Sequence, residues 1–131
     1  MILQEKPIQF PMVLIIGNNL IDNFIHSKVI ELTHLAEDIV VKETIESAID
    51  FLTLLANKVG KLPEHIFVDV SWIPDESKIF FDWFTKLPSS IRNKSKIIVL
   101  SLYANEKAKI VNYVFIEKPL TVEKLKAIKW V

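Results

Sequence analysis

The chain contains no cysteine and only two glycines among its 131 residues. Without cysteine there are no disulfides, no thiolate zinc sites and no cysteine nucleophile, which fits a reducing compartment. The scarcity of glycine excludes a glycine-rich phosphate loop, because Gly17 follows an apolar run with no second glycine near it. An excess of one charge is missing too, since 16 Lys and Arg balance 16 Asp and Glu. A neutral, scattered distribution offers no electrostatic footprint for a nucleic-acid backbone or an anionic membrane. Apolar runs such as Met12–Ile16 fall far short of the about 18 residues of a membrane span. The N-terminal stretch carries Glu5, Pro7 and Pro11 and lacks the cationic start and small-residue cleavage site of an export signal. The expected setting is the cytoplasm, with neither nucleic acid nor membrane as a partner.

What the chain does have is apolar material: 50% of its residues are hydrophobic, enough for one self-sufficient domain over 1–131. Residues 1–10 are expected to form a loose N-terminal arm. From there, short β-rich runs alternate with amphipathic stretches. Met12–Ile16 is apolar throughout, as a strand buried on both faces should be. Further strands are expected at 39–41, His65–Asp69, Lys96–Ser101 and 113–116. Asp22 is placed to cap a helix over 22–35, where Ile21, Phe24, Ile25, Val29 and Leu32 recur at helical spacing. Thr44 with Ser47 opens a second helix that Gly60 closes. Pro74 and Asp75 start a third, with its body over 76–86; a short helix follows at 104–110, and a last one runs from about Thr121 toward the C-terminus. Strands alternating with helices in so small a domain predict an α/β fold: a doubly wound parallel sheet of five strands.

In such sheets ligands and chemistry sit outside the carboxyl ends of the strands. The polar residues expected there are Gly17, Asn18 and Asn19, then Asp69 and Ser71, then Ser101, then Lys118 with Pro119. A carboxylate facing an ammonium suits the acceptance of a phosphoryl group, because the lysine neutralises the oxygens of an acyl phosphate. The three histidines do not suggest a metal site: His26 and His34 are too far apart on one helix to share an ion, and His65 opens a strand. Neither Ser71 nor Ser101 sits in a nucleophile-elbow sequence, which argues against a Ser-His-Asp hydrolase.

Taken together, the buried first strand, the strand ends at Asp69 and Ser101, and the segment 115–119 with its Lys118-Pro119 pair resemble the receiver domain of two-component response regulators, over roughly residues 11–129. The resemblance implies the flavodoxin-like (βα)5 fold with strand order 2-1-3-4-5. It makes Asp69 the phosphoacceptor position, Ser101 the conserved hydroxyl, Lys118 the invariant lysine, and Phe115 the aromatic that turns with the hydroxyl. It also implies two adjacent acids after the first strand to hold Mg²⁺, and here those positions are Gly17 and Asn18. Mg²⁺ wants hard oxygen ligands in octahedral array, and Asp69 alone remains of the family's carboxylates. The interval from Ser101 to Lys118, 17 residues, is shorter than in the family. Where the family places a proline and then a glycine after the phosphoacceptor, this chain has Ile73 and Ser77, with Pro74 displaced by one.

The third helix carries more apolar residues than one core stripe requires. Phe80, Phe84 and Leu87 fall on the core side, whereas Ile79 and Trp83, with Trp72 just before the helix, are candidates for a partner-binding patch. The expectation is therefore a non-enzymatic, divergent receiver of bacterial signal transduction, acting as a protein-interaction module independently of phosphorylation and without a cofactor. The alternatives are a working phosphoacceptor that takes phosphate on Asp69 from a histidine kinase with Mg²⁺ held by the remaining oxygens, and an oligomerising structural protein. The partner is a histidine kinase or another signalling protein, or a second copy in a homodimer.

Overall fold

The computed structural model describes residues 12–71, 74–102 and 113–128. The expected arm over 1–10, Trp72, the expected helix over 104–110 and the last residues of the final helix lie outside the described residues. Five strands, β1 (Met12–Ile16), β2 (Asp38–Lys42), β3 (His65–Asp69), β4 (Lys96–Ser101) and β5 (Val114–Glu117), form one sheet in the order β2-β1-β3-β4-β5 with every pairing parallel. This is the strand order expected from the sequence. The helices are α1 (Leu20–Thr33), α2 (Ile45–Lys58), α3 (Pro74–Thr85), the single turn α4 (Ser89–Arg92) and α5 (Val122–Lys126).

Alternation along β1 divides the core in two. Leu14 and Ile16 pack with Ala48 and Leu52 of α2 and Phe80 and Phe84 of α3. Val13 and Ile15 pack on the other side with Ile30 of α1, Phe67 and Leu125 of α5. Right-handed crossovers require this division of helices between the two faces of a parallel sheet. No helix among the described residues is long and apolar enough to cross a membrane.

The helix starts correct one expectation. Asn19, not Asp22, caps α1: its side chain accepts the backbone N–H of Asp22 at 2.9 Å. Asp22 is thereby moved into the first turn, where its carboxylate is free to face elsewhere. Thr44 caps α2 by accepting the Ser47 N–H, and Gly60, at φ 80°, supplies the left-handed residue after that helix. The one-turn α4 was not apparent from the sequence. Four residues are too few to show a helical period, and its turn is held by Arg92, whose guanidinium donates to the carbonyls of Thr85 and Leu87.

The apolar stripe of α1 also corrects the sequence reading. Leu20, Ile21, Phe24, Ile25 and Leu32 are all exposed, and the helix buries Asn23, His26 and Ile30 instead. Only Val29 of the periodic set packs against the core. The cause lies at the carboxyl edge of the sheet, where Asn23, His26 and Asp22 are needed on the inside.

Candidate functional site

Asp69 ends β3 in the centre of the sheet and is 1% exposed. Its Oδ1 accepts the Ser71 backbone N–H at 3.0 Å and its Oδ2 takes the Lys118 ammonium at 2.6 Å. Both oxygens of the expected phosphoacceptor are thus engaged. Lys118 follows β5, and its own backbone N–H donates to the Ser101 carbonyl at 2.7 Å, which fixes the lysine beside the end of β4. Ser101 is fully buried, and Ser71 Oγ accepts the N–H of Leu102, tying the two strand-end loops together. Phe115 is half-buried and packs against the α2/α3 side of the core, opposite Val99 in the β4–β5 register.

The structure adds to the site Asp22, whose place at the start of a helical pattern suggests only a cap. Asp22 reaches the same ammonium, with Oδ2 2.7 Å from Lys118 Nζ. Lys118 is 8% exposed and bridges two carboxylates, one buried and one 34% exposed. Burial opposes its charge, but the hydrogen bonds to Asp22 and Asp69 outweigh that penalty and raise its pKa above the usual lysine value. His26 lies nearby on the inner face of α1, 2% exposed, with Nδ1 lacking a hydrogen-bond partner. Burial lowers its pKa, against the pull of Asp69, so it is neutral at neutral pH. The only prior sign of its role was a histidine set among residues of the α1 stripe, which does not by itself distinguish inside from outside.

Gly17 and Asn18, the positions where the family carries its acids, are filled differently. Asn18 is exposed. At Gly17 an added Cβ would stand 2.7 Å from Asn23 Oδ1 and 3.4 Å from the Asp69 Cβ. Asn23 is 4% exposed and its Nδ2 donates to the Gly17 carbonyl at 2.7 Å. Its amide therefore fills the volume that a side chain at position 17 would take, and its Oδ1 is left without a hydrogen-bond partner.

Of the expected partner-binding residues, Ile79 is 56% exposed, whereas Trp83 is half-buried, packed against the core with its ring 6.1 Å from that of Phe80. Trp72 lies outside the described residues.

No family model and no curated protein matches the chain. Solved structures do. A two-component response regulator from Cytophaga hutchinsonii is 28% identical with a TM-score of 0.77, over 89% of this chain and 92% of that one. The bacteriophytochrome response regulator AtBRR is 17% identical with a TM-score of 0.73, over 90% and 89%. The Mn²⁺-bound form of response regulator Rcp1 is 13% identical with a TM-score of 0.65, over 88% and 86%. By its strand order and these similarities the chain has the fold of response regulator receiver domains, with Asp69, Ser101 and Lys118 gathered at the carboxyl edge of its sheet.

A divalent cation is the group that this fold implies. The two carboxylates at the site, Asp22 and Asp69, already share the Lys118 ammonium, and no group of three His, Cys, Asp or Glu among the described residues could hold a metal. Asn23 Oδ1, the buried side-chain oxygen without a partner among the described residues, faces the space where a Cβ at position 17 would stand. This donor set does not fit an octahedral dication.

Proposed function

We propose that this receiver domain is a protein-interaction module of two-component signalling whose docking does not require phosphorylation of Asp69. The observation that carries the reading is the outer face of α1. Of the ten large apolar side chains exposed among the described residues, five lie on this one helix. At 100° per residue, Leu20, Ile21, Phe24, Ile25 and Leu32 fall within an arc of roughly 140°, opposite the buried Asn23, His26 and Ile30. Lys28 is in the middle of that arc, with its ammonium 5.4 Å from the Phe24 ring centroid. Apart from the exposed Lys28–Glu31 ion pair that lies within it, this arc is apolar surface facing solvent, and such surface marks a place where another protein binds. The partner that suits it is a signalling protein presenting an apolar helix face.

Gly17 and Asn18 in place of an acid pair support independence from phosphate, since the carboxylates left at the site, Asp69 and Asp22, both pair with Lys118 and none is left over to hold the divalent cation that would assist phosphoryl transfer. The proximity of Asp69, Ser101 and Lys118 favours the second reading, a phosphoacceptor supplied by a histidine kinase. A third, self-association through Ile79 and Trp83, draws on the exposure of Ile79.

Pull-down with purified histidine kinases, together with sedimentation of the chain alone, separates the three. Phe24→Asp is expected to weaken capture about tenfold, as loss of an aromatic anchor does, while Asp69→Asn, which keeps an oxygen toward Lys118 but cannot take phosphate, leaves it nearly unchanged. If Asp69→Asn abolishes capture, or if acyl phosphate with Mg²⁺ labels Asp69 stoichiometrically, the phosphoacceptor reading replaces this one. A dimer that Ile79→Asp dissolves would establish the third.

A further inference from the structure

We propose that Lys118 is the resident cation of this site, clamped between Asp69 and Asp22, and that the clamp takes over the place of a metal ion while fixing α1 and its apolar face to the sheet. The inference rests on the reading of a receiver that docks without phosphorylation, and it adds a positioning role for Asp22.

The geometry supplies each part. The ammonium donates 2.6 Å to Asp69 Oδ2 and 2.7 Å to Asp22 Oδ2, so the two oxygens lie at most 5.3 Å apart, with one positive charge between them. A dication at this point would sit against that ammonium, which is 8% exposed and already held by both carboxylates. Where an acid would stand at position 17, the Asn23 amide is packed against the Gly17 backbone and anchored to its carbonyl. Both substitutes, Asp22 and Asn23, come from the first turn of α1, whose start is set by the Asn19 cap. The lost acids after β1 are thus matched by polar groups from the neighbouring helix. The same contacts hold the inner side of α1 to β3 and to the β5–α5 connection. Ile21, Phe24 and Ile25, interleaved with Asp22 and Asn23 in sequence, are thereby held outward.

The decisive experiment is titration of the full chain with MgCl₂ alone, followed by amide NMR shifts at Gly17, Asn23, Asp69 and Ser71. The wild type is expected to show no saturable shift at ordinary millimolar Mg²⁺. Lys118→Met leaves two carboxylates without their cation, and it is expected to bind Mg²⁺ at least about tenfold more tightly than wild type. Adding Asp22→Asn to it should abolish the gain. Saturable low-millimolar binding by the wild type, or no gain in Lys118→Met, overturns the clamp. If Lys118→Met does not fold, Asp22→Asn alone carries the test by hydrogen exchange. The amides of 23–30 should exchange about tenfold faster while α2 is unchanged, and unaltered exchange in α1 overturns the proposal. A failed clamp leaves the association test of the α1 face standing on its own result, so the two readings fail separately.

Discussion

The two long helices α1 and α2 have the same length, 14 residues each, and opposite relations to the core. In α2 the apolar period and the buried face coincide: Ile45, Ala48 and Leu52 point to the sheet and the first turn is capped by Thr44. In α1 they are reversed, with polar Asn23 and His26 inside and the apolar stripe in water. The faces of the sheet differ in the same sense. Among the described residues the α2/α3 side buries, of polar side chains, only the hydroxyls of Ser77 and Ser101, whereas Asn23, His26 and Asp69 gather where α1 covers the sheet. By alternation with Phe67, His65 belongs to the α1/α5 side as well. Both faces carry an apolar core, but only the α1/α5 side combines it with the buried charged and amide groups of the site.

The largest test of that division is Leu52→Ala on the α2 side. Leu52 is fully buried, so its truncation is expected to cost about 2–5 kcal/mol in urea denaturation, through lost burial plus the cavity left behind. A cost below about 1 kcal/mol would mean that the α2 face is not the structural one.

The second test uses pH. Burial, reinforced by the nearby Lys96 ammonium, lowers the pKa of His65 from 6.5 to about 4, and burial lowers that of His26 in the same direction. Because the folded-state pKa lies below the unfolded one, stability is complete above about pH 6.5 and declines as pH falls toward 4. Over that window His65 alone accounts for a loss on the order of 3 kcal/mol. Denaturation curves at pH 7, 5.5 and 4 measure it. His65→Leu should flatten the dependence, and an unchanged slope would show that His65 does not supply it.

All five strands and the cap of α2 were legible in the sequence, because the inner strands, buried on both faces, read as unbroken apolar runs and Thr44 precedes a clean helical period, whereas the order of the sheet came from the resemblance to receiver domains. So was the meeting of Asp69 with Lys118. The orientation of α1 was not legible, for a physical reason. Periodicity fixes which residues share a face, but not which face turns inward, and that depends on what the neighbouring strand ends require. Asp22 was hidden in the same way. An aspartate at the start of a helical pattern reads as a cap, yet Asn19 three residues earlier takes that role and releases the carboxylate to Lys118. Asn23 as the filler of the space at Gly17 had no sequence signal, since it depends on a close approach of helix and loop.

Asp22→Asn probes the boundary between the two helices' roles. The carboxylate is 34% exposed, so the ion pair is partly screened, and its removal is expected to cost about 1 kcal/mol in denaturation, well below Leu52→Ala. A cost as large as that of Leu52→Ala would place Asp22 among the core determinants of the fold.

The smallest expected effect lies on the outer face of α1. Phe24 is 62% exposed and its ring meets the Lys28 ammonium, so Phe24→Ser removes one surface cation–π contact and little burial. Stability should change by about 0.5 kcal/mol or less. The difference from Leu52→Ala is the sharpest form of the comparison, because periodicity alone would give these two residues the same rank in two amphipathic helices. If Phe24→Ser destabilised the fold as much as Leu52→Ala, the stripe of α1 would be core and no docking face would exist. If it leaves the fold intact while binding of an apolar dye to the surface falls, the stripe is free surface whose cover must come from another protein.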